Sequence, residues 1–169
     1  KGECNVEKML VSGVASDKDI ARISIEGISD EPGKAFQVFS LLEKKNVSVD
    51  IIIQSIGRDA TNDISFTIAK GELNYVMQVL EEDKERIGAK KITFDDTVAK
   101  VSIVGAGMAT HPGVASLMFE ALYDAGVNIG MISTSEIKIS VLINENDVED
   151  ALIAIHDKFN LATQSLRKN

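Results

Sequence analysis

The chain has 169 residues, 44% of them hydrophobic and 26% charged, which suits a folded protein of one medium domain or two small ones. Trp is absent and aromatics make up only 5%, so the core must be built from Val, Ile, Leu and Met. A net charge of −8 repels phosphate backbones and argues against nucleic-acid binding, and no run of about 18 apolar residues offers a membrane span. No secretory signal pattern stands at the start, and Cys4, the only cysteine, can form neither an internal disulfide nor a thiolate metal site. A cytoplasmic location is the default expectation. The first residue is Lys1 rather than Met, which points to a piece of a longer protein, with Met9 offering an internal start.

The first element in chain order is a strand-like segment at 10–15, set apart by Asp17-Lys18-Asp19. A β-branched run at 22–28 alternates in and out and leads to a loop ending in Pro32-Gly33. Ala35, Phe36, Val38, Phe39 and Leu42 then recur at helical spacing. A hairpin follows, with a polar loop at 57–63, then a helix over 72–86 and a strand at 91–94. The remainder reads the same way. A strand at 100–104 leads to Pro112-Gly113 and a helix carrying Val114, Leu117, Met118, Ala121 and Leu122. Next come a hairpin turning tightly at Glu136-Ile137, a helix over 146–159, and a weaker strand at 162–166.

The likeness of the two halves extends to the residues. The only two prolines sit in Pro-Gly pairs 80 residues apart, and the same offset lays 46–55 over 126–135. Residues 23–27 match 101–105, and 64–68 match 139–143. Four matches in one order point to duplication of a βαββαβ unit. The fold class is α+β, with an antiparallel sheet in each unit and helices on one face. The other face must be covered or paired, which favours oligomers.

Little in the sequence supports catalysis. Gly105-Ala106-Gly107 follows a strand, as in a dinucleotide-binding loop, but Thr stands at position 110 and no crossover to a parallel strand follows, so a flexible turn accounts for it. His111 and His156 lie in different repeats without carboxylates at metal spacing. Ser133-Thr134-Ser135 has no His–acid pair to activate it, and Asp59, Asn62 and Asp63 miss EF-hand spacing and suit a polar loop. Nothing calls for a metal or cofactor. The Pro-Gly turns admit two readings. Pro presets a turn and Gly allows close backbone approach, which is sufficient reason for both residues. Equally, a helix N-terminus with free N–H groups suits a carboxylate, while Asp30 just ahead could take an ammonium group and Gln54 on the neighbouring strand could add an amide. Those are the two ends of an amino acid.

Ser29-Asp30-Glu31-Pro32-Gly33-Lys34-Ala35 resembles the loop that opens an ACT domain, a ferredoxin-like βαββαβ fold that senses small molecules. The whole chain resembles the paired ACT domains at the C-terminus of aspartate kinases. The carriers of that likeness are residues 11–18, 101–108 and 111–114 and, most specifically, Ile132-Ser133-Thr134-Ser135-Glu136-Ile137-Lys138-Ile139-Ser140. The resemblance implies a first ACT domain over 20–96 and a second over 97–169, the second joined by the strand at 10–16. It implies feedback control by lysine, threonine or both, exerted on a catalytic domain or α subunit by a chain that is not itself an enzyme, and a homodimer. The effector-binding residues it implies are Asp30, Glu31, Pro32, Gly33, Lys34 and Ala35, with Ser48, Val49, Asp50 and Gln54 nearby. The second domain would contribute Val114, Ala115, Asn128, Ile129, Ser135 and Glu136, with Ala115 standing where similar proteins often carry a hydroxyl. An ACT-type sensor of another amino-acid enzyme, or a free-standing one, is the alternative.

Overall fold

A computed structural model describes residues 11–159. The chain divides into two compact units, one formed by Asp19–Thr97 and the other by the strand that precedes it together with the residues from Val98 onward.

In the inserted unit the order is β2 (Ile20–Ser29), α1 (Lys34–Lys44), β3 (Ile52–Ile56), β4 (Thr61–Ala69), α2 (Leu73–Glu82), α3 (Lys84–Ile87) and β5 (Lys91–Asp95). The antiparallel sheet runs β3-β4-β2-β5. Ala21, Ile23 and Ile25 of β2 and Ile64, Phe66 and Ile68 of β4 point to one face, where Val38 and Leu42 of α1 and Val76 and Leu80 of α2 bury against them. The period of two in the strands and of three to four in the helices makes those stripes meet. Phe36 departs from the expected apolar face. Ala35, Val38, Phe39 and Leu42 form the i, i+3, i+4, i+7 stripe, so Phe36 lies roughly 100° off it and is 74% exposed. The helix expected over 72–86 is also broken. Asp83 leaves helical geometry at φ −101°, ψ 9°, and one further turn brings Ile87 into the core before Gly88 ends it in the left-handed region. The Gly88 and Ala89 N–H groups both reach the Lys84 carbonyl, a common way to close a helix.

The other unit contains β1 (Val11–Asp17), β6 (Val98–Gly105), α4 (Pro112–Asp124), β7 (Met131–Thr134), β8 (Lys138–Asn144) and α5 (Val148–Phe159). Its sheet runs β1-β6-β8-β7, also antiparallel throughout. Both sheets have the ferredoxin-like order, but β1 takes the place beside β6 that β5 takes beside β2. The expected strand at 162–166 lies outside the described residues, and the edge it would occupy is filled by β1. A separate aliphatic core forms here from Val101, Ile103, Met118, Leu122, Val141 and Ile155. Each sheet carries a serine pair at equivalent cross-strand positions, Ser24 with Ser65 at 2.9 Å and Ser102 with Ser140 at 2.7 Å.

The chain enters the inserted unit just before Ile20 and leaves it just after Asp95, and Arg22 and Asp95 are register partners with an ion pair of 3.8 Å. Bonds from the Thr97 hydroxyl and N–H, and then the Arg22 charge, hold the Asp95 carboxyl below its usual range.

Candidate functional site

The loop between β2 and α1 is shaped by two local features. A β-bulge interrupts β2 between Ile25 and Ile28, with Gly27 at φ +72° donating its N–H to the Asp63 carboxylate at 2.8 Å. A Cβ at Gly27 would lie 2.7 Å from the Lys90 side chain, so both conformation and space require glycine. Gly33 caps α1 at φ +92°, and neither a side-chain cap nor an acidic residue in the first turn satisfies the helix N-terminus. The Lys34 ammonium lies 3.7 Å from Glu31. Pro32 and Gly33 are exposed, while Lys34 and Ala35 are half-buried.

Asp30 is exposed and tied to the hairpin opposite. Its N–H donates to the Ala60 carbonyl at 3.0 Å, and its carboxylate accepts from the amide of Asn62 at 2.7 Å. Asn62 is only 8% exposed, one of four buried polar residues among those described. By sequence alone Asn62 belongs to a polar loop at 57–63. That loop is shorter than expected, since β4 begins at Thr61, and Asn62 is the first strand position facing the core side. Its signal in sequence was the period of two it shares with Ile64, Phe66 and Ile68.

Gln54 pairs directly with Ile64 on the exposed edge strand β3, on the same sheet face as Asn62. Ser48, Val49 and Asp50 do not join this group. The Asp50 N–H bonds to the Thr67 carbonyl, whereas Asn62 pairs with Ile56 at the other end of β3. Asn62 and Thr67 are five positions apart, about 17 Å along β4. The two sets therefore lie at opposite ends of one edge strand.

The second unit repeats this separation. Asn128 and Ile129 precede Gly130, whose N–H reaches the Leu142 carbonyl, while Ser135 closes the far end of the hairpin. There the Ser135 hydroxyl accepts from the Lys138 N–H at 3.1 Å, and the Glu136 carbonyl accepts from the Met108 N–H at 3.0 Å, joining the turn to the loop before α4. Val114 is fully buried in the core, and Ala115 packs against that core from a half-buried position. Where the first unit presents Asp30, this loop presents Thr110 and His111. The His111 Nδ1 lies 2.9 Å from both the Gly107 carbonyl and the Thr110 hydroxyl. Among the described residues no cluster of His, Cys, Asp or Glu could hold a metal, and no helix is long and apolar enough to cross a membrane.

Residues 23–83 and 101–159 each match the family model described as the ACT domain. The aspartate kinase of Pseudomonas putida is 44% identical over 159 residues, covering 94% of this chain and 39% of that protein. The chain thus spans well under half the length of that relative. Two solved structures match almost end to end. A chain from the aspartokinase alpha and beta subunits superposes with a TM-score of 0.84 at 47% identity, covering 89% of this chain and 99% of that one. The regulatory subunit of aspartate kinase from Thermus flavus gives 0.82 at 41%, with the same coverages.

Proposed function

This chain belongs to the ACT-domain family, as a tandem pair of the kind that forms aspartokinase regulatory subunits, and on that premise we propose that it binds lysine or threonine and exerts feedback control on the phosphorylation of aspartate. It corresponds to a regulatory piece and not to the kinase itself, because its match to a regulatory subunit covers 99% of that chain. A catalytic domain or α subunit of aspartate kinase is the proposed partner, and the cytoplasm the proposed location.

The observation that carries the effector reading is the β2–α1 loop. The helix N-terminus behind Gly33, which has no side-chain cap, offers N–H groups to a carboxylate, while the Asp30 carboxylate, steadied by Asn62, faces the ammonium end. No metal or nucleotide is needed for such a task. A homodimer accompanies this reading. The edge strand β3 leaves Ile52 51% and Ile56 92% exposed, and unpaired strand edges are costly. Antiparallel pairing of that edge with a second copy's would bring a Ser48–Val49–Asp50 end next to an Asp30 end, which supports the inclusion of both sets in one site.

Thermal unfolding tests the effector assignment. A ligand present at about one hundred times Kd adds about 2.7 kcal/mol, which for a chain of this size raises Tm by roughly 5–10 °C. Either lysine or threonine, or the two together, is expected to give that shift at about 10 mM. Flat curves with both would remove these effectors, and a shift with a different amino acid alone would favour the sensor of another pathway.

A further inference from the structure

Each unit carries a groove on its helix face, and the two grooves differ in charge. In the second unit α4 and α5 border an open groove of about 550 Å³, floored by Ala121, Ala125 and Ala154 and walled by Ile153, which is 61% exposed. Its rim carries Asp124, Asp150 and Asp157 against a single cation, Lys158. That lysine is already engaged, lying 3.0 Å from Glu120 and 4.0 Å from Asp124. The groove is therefore strongly acidic over an apolar floor of small side chains.

The repeat places different groups at the same positions in the first unit. Lys44 stands at the α1 position that Asp124 holds on α4, at the 80-residue offset of the Pro-Gly pairs. Asp83 stands where Lys158 does, at the 75-residue offset of β4 and β8. Here the groove between α1 and α3 is smaller, about 160 Å³, and bears Lys44 and Arg86 against Asp83. Arg86 is 81% exposed and Phe36, at its rim, 74% exposed. Phe36, Ser40 and Lys44 follow one another at i, i+4 spacing, a ridge about 12 Å long with an aromatic ring at one end and a cation at the other.

We propose that this ridge docks into the α4–α5 groove of a second copy of the chain, with Phe36 over the alanine floor and Lys44 against Asp124. The alanines leave the room that an aromatic ring needs, and aromatic residues, Phe among them, are enriched in the cores of protein interfaces. The occupant is a second copy because both halves of the contact, knob and groove, lie on this chain with complementary charge. A contact between unlike surfaces can add copies beyond a pair formed across sheet edges. It does not depend on the effector assignment.

Salt alone does not decide the matter, because a chain of net charge −8 repels its own copies at long range while the local contact attracts. Charge reversal does. Sedimentation velocity of the whole chain is expected to show association beyond any sheet-edge dimer across the micromolar range. Lys44→Asp and Asp124→Lys should each weaken that step about tenfold or more by setting like charges together. The double variant Lys44→Asp/Asp124→Lys should restore it to within a few-fold, since the pair is re-formed with its signs exchanged. Phe36→Asp should abolish it. All three substituted positions are exposed, so circular dichroism is expected to be unchanged. Failure of the double variant to rescue, or a Phe36→Asp protein that sediments as the wild type does, overturns the proposal. A dimer that survives in Phe36→Asp, and responds to lysine or threonine, leaves the sheet-edge reading intact.

Discussion

Replacing Asp30 with alanine is expected to weaken effector binding about tenfold to a hundredfold, because a charge-assisted hydrogen bond to the ligand's ammonium is lost, worth roughly 1.5–3 kcal/mol. The same substitution acts on the fold. Asp30 does not cap α1, since Gly33 holds that position, but its carboxylate accepts the amide of the buried Asn62 at 2.7 Å. Without that acceptor a buried donor is left unmet, at a cost of about 1–3 kcal/mol. Asp30→Asn separates the two roles. Its side-chain oxygen can still accept from Asn62 while the charge is gone, so affinity should fall as in the alanine variant and the urea midpoint should stay near that of the wild type. Calorimetry with the effector and urea melts on both variants make the comparison. Affinity retained in Asp30→Asn would reduce Asp30 to a tie between the β2–α1 loop and β4.

The duplicated βαββαβ plan was readable because it is written in local periodicity. Strands such as β2 and β4 alternate strictly, and the Pro-Gly pairs mark equivalent helix starts. What local pattern does not encode was less accessible. The pairing of β1 with β6 joins Val11 to Gly105 across an inserted unit, and neither strand signals its partner. Only resemblance to known ACT pairs suggested it. The role of Asn62 was hidden for a related reason. A polar residue at the start of β4 looks like the end of a loop until β2 and the turn after it are folded against it. Phe36 was misplaced because a helical stripe tolerates one extra apolar neighbour in sequence, while in space that neighbour lies a quarter-turn away. The candidate site shows the same limit. Residues grouped by resemblance fall at the two ends of β3, and a single chain does not bring them together.

Phe66→Ala should produce the largest loss of stability, about 3–5 kcal/mol from lost burial and an uncollapsed cavity. Phe66 is fully buried, pairs across the sheet with Ile23 and Ile52, and meets Phe39 edge to face with ring centres 5.7 Å apart. Val141, its counterpart 75 residues on, is equally buried, but its truncation removes only two carbons, about 1.6 kcal/mol before any cavity cost. The consequence of Phe66→Ala should extend past its own core in one specific place. The folded insert holds its entrance and exit together through Arg22 and Asp95, and β1 and β6 continue from those points into their own pairing, whose last register pair is Asp17 with Lys100. Once the insert unfolds, β1 must close a loop of 79 residues to reach β6, an entropic cost of about 4 kcal/mol from (3/2)RT ln n. Amide exchange under mild urea is therefore expected to show protection lost throughout Asp19–Thr97 and along the β1–β6 ladder, while the β6–β8 ladder stays protected. Loss confined to the insert would mean that β1 is held by its side-chain packing alone, Val11 being fully buried in that core. Equal loss in β6–β8 would mean that the two cores unfold as one.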